Sequence, residues 1–289
     1  EGNIQFVAGL YFEDREIDSL QTWSWSGDSA LNPTPGLNFF NVPGAESLEQ
    51  QALFGEVTYA ATERLEFTLG ARYFDYEREV ESGFAAFAAS APLSSSVSVD
   101  ESDTTYKANV SFHANDDTLL YGQWAEGFRL GTGLPDPSPD TLCDPDGNGI
   151  IDELGIARPT QTDSDRSESF ELGLKTQFMD RRLTLNAAVY RIDWVDIPID
   201  VSPTQSCTVQ LNAGEASSEG IELEVQALLS ESLQLSASAS YGEATLDEDS
   251  VLGNKGDNVP GSADFNLSVG LEYAFDLGSH PSFARLDYS

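Results

Sequence analysis

The feature that most constrains this chain is two-residue alternation sustained over long runs. In "FELGLKTQFMDRRLTLNAAVYRIDW", residues 170–194, Phe170, Leu172, Leu174 and Phe178 share one face, with Thr176 interrupting it. Leu183, Leu185, Ala187 and Val189 share that face on the way back, while Glu171, Lys175, Gln177, Arg182, Thr184 and Asn186 take the other. Alternation on both sides of a tight polar break predicts a β-hairpin. The pattern recurs at Ile4 to Phe12, Leu53 to Tyr59, Leu65 to Tyr73, Tyr106 to Phe112, Ile221 to Ala227, Leu233 to Tyr241 and Phe265 to Phe275. No segment of helical period competes. The expected fold is all-β, an antiparallel meander of about 10–11 strands.

Alternation alone does not say what covers the apolar face, since a second sheet and lipid both want one. Two further features favour lipid. Many runs reach about 10 to 15 residues, whereas soluble strands average about 5 to 6 and a tilted membrane strand needs about 9 to 11. Connections also alternate in length. Thr62-Glu63, Asn115 to Asp117, Asp180-Arg181, Ser230 to Ser232 and Asp276 to Ser279 are short. Long segments lie between them, near 14–50, 81–103, 131–167 and 242–262, with a shorter one near 199–208. Every long connection then leaves one end of the sheet. Outer-membrane barrels combine short periplasmic turns with long extracellular loops in this way. Glu66, Thr68, Arg72, Lys107, Asn109, Ser111 and His113 would line a wet lumen. Aromatics near strand ends (Tyr73, Phe74 and Tyr76; Trp124 and Phe128; Tyr190 and Trp194; Tyr273 and Phe275) suit interfacial girdles.

Charge narrows the partners. With 49 acidic against 14 basic residues and a formal charge of −35, the chain is unsuited to nucleic acid, whose phosphates need Lys and Arg. No apolar run is long enough for a membrane helix, which leaves a β-barrel untouched. The opening "EGNIQFVAGL" carries no initiator Met and no signal core, so a mature protein or an excised piece is expected.

Several segments resemble one family. "YGQWAEGFRLG" (Tyr121–Gly131), "ESFELGLKTQFMDRRLTLNAAVYRIDWVDI" (Glu168–Ile197) and "NAGEASSEGIELE" (Asn212–Glu224) are similar in order and spacing to TonB-dependent outer-membrane receptors, and "VPGSADFNLSVGLEY" (Val259–Tyr273) looks like the next hairpin. The likeness is clear over 121–275 and rests on strand pattern alone over 1–120. The resemblance implies part of a barrel of about 22 strands, with residues 1–289 forming one partial barrel domain and no plug domain. It implies an outer-membrane location and active import of a scarce, bulky nutrient, ferric siderophores being the commonest cargo. It also implies energy from the TonB complex, engaged through an N-terminal region missing here. A passive porin shares the strands and loops. A soluble calcium-binding β-sandwich or adhesin is a third reading.

"CDPDGNGIIDELG" is the most site-like segment. Asp144, Asp146, Asn148 and Asp152 stand at positions 1, 3, 5 and 9 of a calcium loop, with Gly149 at the turn. Position 12 is Gly155 and Glu153 is displaced, so Ca²⁺ within residues 144–153 competes with a plain acidic surface loop. No cofactor is required by any motif. Cys143 lies in this loop and Cys207 beyond the next hairpin, so the barrel reading allows a disulfide bracing two loops, or two thiols. Lumen-facing polar residues near the external ends are the expected substrate contacts: Arg72, Tyr76, Lys107, Arg129, Glu171 and Asn212. The ligand would be a small molecule or metal chelate. The acid-rich loops would gather cations or bridge through divalent ions to lipopolysaccharide, beside the outer-membrane lipid itself. His113 and His280 stand apart and no nucleophile motif is present, so no enzyme is expected.

Overall fold

The computed structural model describes residues 2–24, 38–86, 93–136, 143–144, 146–204, 207–212, 214–250 and 253–289. Eleven strands follow chain order through one sheet: β1 (Ile4–Ser24), β2 (Asn38–Ala60), β3 (Leu65–Ala86), β4 (Leu93–Asn115), β5 (Thr118–Arg129), β6 (Asp165–Phe178), β7 (Leu183–Val195), β8 (Ala216–Leu228), β9 (Leu233–Leu246), β10 (Phe265–Leu277) and β11 (His280–Tyr288). Every neighbouring pair is antiparallel. The all-β meander is as expected. Among the described residues, three small ribbons sit in the connections: Thr132–Gly133 with Gln161–Thr162, Ile150–Ile151 with Ile156–Ala157, and Pro198–Thr204 with Cys207–Asn212.

Register carries the apolar face unbroken from strand to strand. Phe67, Val110, Gly122, Leu172, Val189, Ile221, Tyr241 and Phe265 stand opposite one another in a single row across β3 to β10. A slip of one residue anywhere would put polar side chains in that row, which is why the register is firmly specified. These side chains are open to their surroundings, with Phe6 80% and Leu172 64% exposed. An apolar face of this extent is not left to water; it is the lipid face. On β3 it runs from Leu65 to Tyr73, which matches the roughly 9 to 11 tilted residues that cross a bilayer. Thr176, the polar interruption, is only 3% exposed, and its hydroxyl meets that of Thr118 at 2.9 Å. The buried polar group is thereby satisfied.

Two expectations are corrected. The segments near 14–50 and 81–103 are in large part strand: β1 continues to Ser24, β2 begins at Asn38, β3 continues to Ala86 and β4 begins at Leu93. Their tips, 25–37 and 87–92, lie outside the described residues. Charge on both faces hides the alternation there, yet the ladder continues, for example Asp14 opposite Glu49 and Glu77 opposite Asp100. The aromatic girdle is also smaller than expected. Tyr73, Trp124, Tyr273 and Phe275 lie on the lipid face, and Tyr273 stacks on Phe275 at 6.0 Å. Phe74 and Tyr76 have the opposite parity and are 1% and 2% exposed, in a core beside Phe128.

That core is one of three among the described residues, all beyond the lipid face on the side of the long connections. Leu48, Ala52, Phe74 and Tyr76 pack against Phe128 and Leu130. Cys143, Ile151, Cys207 and Val209 join Leu154, Val201 and Leu211. Ile197, Ile199, Ala216 and Leu246 join Trp194, Val201 and Val259. Together they link the β2–β3 hairpin, the β5–β6 and β7–β8 connections and the β9–β10 connection into one cap.

Candidate functional site

The face opposite the lipid belt is the candidate site. Its wall is built by large side chains lying across glycines on neighbouring strands. Phe54 stands opposite Gly9, and a Cβ at Gly9 would come 2.4 Å from the Phe54 ring. Tyr121 covers Gly173, Tyr190 covers Gly220 and Gly242, and Lys107 covers Gly70. At Gly70 the missing side chain lets the Lys107 stem cross β3 and pair with Glu56 on β2. Tyr121 donates to Glu171 at 2.5 Å, with the Lys175 ammonium 5.4 Å from its ring centre. A concavity of about 670 Å³ opens on this wall between Tyr121, Glu171, Lys175, Asn186, Glu222, Glu224 and the β9–β10 polar residues Ser240 and Asn266.

Both faces carry charge. Despite the net charge of −35, Arg15, Arg72, Arg78, Lys107, Lys175 and Arg285 all occupy inward register positions. Outward, beyond the lipid belt, Asp14, Glu49, Glu77 and Asp100 stand directly opposite one another across β1 to β4. Carboxylates nevertheless outnumber these bases on the inner face, where Glu13, Glu46, Glu56, Glu66, Glu101, Asp103, Glu171, Glu222, Glu224 and Glu272 also stand. Inward, Glu46 bridges Arg15 and Arg78, each at 3.0 Å. Burial alone would raise the Glu46 carboxyl, but its bonds to Arg78 and Arg15 outweigh that and hold it below its ordinary value.

The residues expected to touch a ligand separate into two groups. Tyr76 is an anchor: its hydroxyl donates to Glu101 at 3.3 Å and accepts from the Gly131 N–H at 3.0 Å, tying the β5–β6 connection to β3. Burial raises that hydroxyl's pKa. Asn212 is an anchor too. Its amide donates to the Asp163 and Asp196 carbonyls at 3.0 and 2.6 Å and its oxygen accepts from the Asp163 N–H at 2.8 Å. Arg129 grips the buried Asp165 at 3.0 and 2.9 Å through Nε, lies 4.9 Å from the Trp194 ring, and Trp194 donates to the same carboxylate at 2.6 Å. Arg72, Lys107 and Glu171 lie on the open wall. Arg72 rests 5.2 Å from the Tyr11 ring, makes no ion pair among the described residues, and its buried Nε has no hydrogen-bond partner.

Cys143 and Cys207 are joined in a disulfide that bridges the β5–β6 and β7–β8 connections. In the adjoining loop the Asp144 carboxylate accepts from the Asn148 and Gly149 N–H groups at 3.0 and 2.6 Å. Asp146 accepts from Asn148 at 3.2 Å. Burial first, and then the neighbouring carboxylates Asp146, Asp144 and Glu153, raise Asp152. Among the described residues no group of three or more His, Cys, Asp and Glu side chains converges as metal ligands.

The profile of the TonB-dependent receptor-like β-barrel matches residues 3–289. The chain belongs to this family. Its members are transport receptors of the outer membrane, not enzymes. This receptor barrel is 26% identical over 179 residues to the probable TonB-dependent siderophore receptor PiuA of Acinetobacter baumannii, covering 62% of the chain and 21% of that protein. Its fold matches the ferric yersiniabactin uptake receptor FyuA of Yersinia pestis with a TM-score of 0.76 at 17% identity, covering 99% of the chain and 39% of that structure. The ferric-catecholate import receptor Fiu of E. coli, in its closed form, gives 0.66 at 16%, covering 94% and 40%. The receptor barrel thus spans about a fifth of the length of the curated relative and about two fifths of these structures.

Proposed function

We propose that this barrel is part of an active outer-membrane importer of a bulky nutrient, with ferric siderophores as the substrate class, energised by the TonB complex. The observation that carries the reading is the family match along residues 3–289, and the siderophore receptor among its relatives supplies the substrate class. Arg72, which makes no ion pair among the described residues, suits an anionic chelate. Arg72, Lys107 and Glu171 are the contacts inferred on the wall, Arg72 with an unused buried donor. The capped end faces outside the cell in this reading. The outward carboxylate row at Asp14, Glu49, Glu77 and Asp100, where like charges stand opposite one another at a cost, would bind lipopolysaccharide phosphates through divalent cations.

The test is uptake of radiolabelled ferric siderophore by an outer-membrane receptor deletion strain carrying the gene that encodes this barrel. Uptake that needs the gene and stops when a protonophore collapses the proton gradient supports active import. Uptake that persists with the gradient collapsed would point to a passive pore, and none for any chelate tried would refute the substrate class.

A further inference from the structure

One edge of β4 stays open beyond the lipid belt. β4 runs from Leu93 to Asn115, but β5 pairs with it only between Lys107 and Asn115. β5 turns away there, and Gly127, Gly131, Gly133 and Pro135 punctuate the chain that follows; neither residue type sustains a central strand. Glu126 and Arg166 close the foot of the resulting wedge. The Glu126 carboxylate accepts from the Tyr106 N–H at 2.8 Å, and Arg166 reaches Asp103 at 2.5 Å and Glu101 at 3.7 Å. The Thr104 N–H turns onto the Asp103 carboxylate at 2.7 Å. Above that point the N–H and C=O groups of Ser102, Asp100, Ser98 and Ser96 follow Tyr106 in the two-residue period and point to the same side. Among the described residues no strand pairs with them there.

Barrel closure does not cover this edge. Further strands can join only at β1 and β11, the two ends of the sheet order, whereas β4 lies inside it. The connection that follows β5 crosses the inner face instead: Arg78 donates to the Gly131 carbonyl at 3.2 Å, and Gly133 lies against Val97. Ser96, Ser98, Asp100 and Ser102 are all exposed. The stretch from Ser94 to Ser102 holds no proline, bulge or lysine. At about 3.4 Å per residue it spans roughly 27 Å, and such an edge is a template for another strand. Its surroundings select which strand. Outward, Glu77, Glu79 and Glu81 stand opposite Asp100, Ser98 and Ser96, and no Lys or Arg takes an outward position of β3 or β4 above Tyr73. Inward, the neighbours are Val97 and Val99.

We propose that the upper edge of β4 docks an extended basic segment of a partner protein, which adds a strand beside residues 94–102 with Lys or Arg on its outer side and Val, Ile or Thr on its inner side. Main-chain hydrogen bonds hold that strand, and the carboxylates beside it choose its charge. The edge follows from the fold alone. That the partner arrives from outside the cell rests on the orientation of the proposed importer.

The probe is a fluorescent peptide of about nine residues that alternates Lys with Val and Thr, titrated by anisotropy onto the complete receptor in detergent at physiological salt. Saturable one-to-one binding is expected, with slowed hydrogen–deuterium exchange at Ser96, Ser98, Asp100 and Ser102. N-methylation of the peptide's edge-facing amides should weaken binding about tenfold or more, since several main-chain hydrogen bonds are lost at once. A peptide of the same composition with its lysines grouped at one end should bind as weakly. Ser98→Pro removes an edge N–H but no bond to β3, and should weaken the alternating peptide severalfold; heat-modifiable migration on a denaturing gel verifies its fold. Undiminished binding of the methylated peptide, or by Ser98→Pro, would reduce the effect to charge attraction and overturn the added strand. Self-association of the receptor that Ser98→Pro abolishes would give the edge to a second copy and overturn the foreign partner. Intact cells test the orientation separately: wild-type cells should bind more peptide than Ser98→Pro cells. Equal binding by the two, with the purified receptors still differing, would overturn the outward placement and leave the edge standing.

Discussion

Phe74→Ala offers the sharpest test of how the cap is held. Phe74 sits on a strand whose next-door residue, Tyr73, faces lipid, yet it is 1% exposed and its ring stacks on Phe128 at 3.8 Å with planes 3° apart. Tyr76 lies further along the same face, 6.5 Å between ring centres. Truncating a buried Phe removes both transfer energy and packing, about 3–5 kcal/mol where the site does not collapse. The β5–β6 connection beyond Phe128 is the element that Phe74 holds down. Its local opening equilibrium should therefore rise by about 150-fold to several thousandfold, since each 1.4 kcal/mol is a factor of ten. Hydrogen–deuterium exchange of the complete receptor would read this as faster exchange at residues 128–134. Phe67→Ala, on the lipid face, should leave those amides unchanged, and both variants should keep heat-modifiable migration. Exchange at 128–134 unaltered in Phe74→Ala would refute the claim that this core fastens the connection.

Reducing the Cys143–Cys207 bond, which spans 64 positions in sequence, should free the Ile150–Ala157 ribbon. The full loop-closure value is about 4 kcal/mol, and the β6–β7 hairpin inside the loop already restrains it, so about 2–4 is expected; protease cleavage at 150–157 that is unchanged by reductant would contradict this. Glu46 gives a pH dependence. Its carboxyl is held below its ordinary value by Arg78 and Arg15, so its contribution is full above the unfolded pKa and is lost as pH falls through the lower folded value. Glu46→Gln should flatten the acid limb of a stability–pH profile measured by urea unfolding, and an unchanged limb would show that the network is unimportant. Arg72→Gln should weaken chelate binding by about tenfold or more, the scale of a hydrogen bond to a charged group, with isothermal titration as the readout and unaltered affinity as the refuting result.

The parts of this fold that were legible in the sequence are those where one face is apolar. Phe170 to Val189 reads correctly because lipid enforces the alternation, and the register of β6 on β7 follows from it. Beyond the lipid belt both faces are polar, and there the pattern fails. Glu13, Asp14, Arg15 and Glu16 read as loop, although each is paired in the ladder of β1 and β2. Tyr76 and Asn212 read as ligand contacts because a polar residue near an external strand end looks free. Their partners, Gly131 and Asp163, are 55 and 49 positions away, and only the fold of the connections brings them together. Parity would have separated Phe74 from the girdle, since it adjoins Tyr73 and must face the other way. Nothing local marks Arg129 and Trp194 as partners of one carboxylate.

The length of β1 to β4 sets where a solute first meets the receptor. β2 runs 23 residues, and only the stretch from Leu53 to Tyr59 belongs to its lipid face. The 15 steps from Leu53 back to Asn38, at about 3.3 Å each and the usual tilt of about 40°, lift the rim roughly 35 to 40 Å above the hydrocarbon. Ionic screening at physiological salt acts over about 8 Å, so the rim stands several screening lengths from the lipid phosphates. In the proposed orientation an anionic chelate arriving from the medium is spared the membrane's own repulsion. On the way it passes the outer row of Asp14, Glu49, Glu77 and Asp100, and an inner wall where Arg15 and Arg78, in one register row, share Glu46 above Arg72. In that orientation the extended strands would move the point of first contact away from the membrane's field.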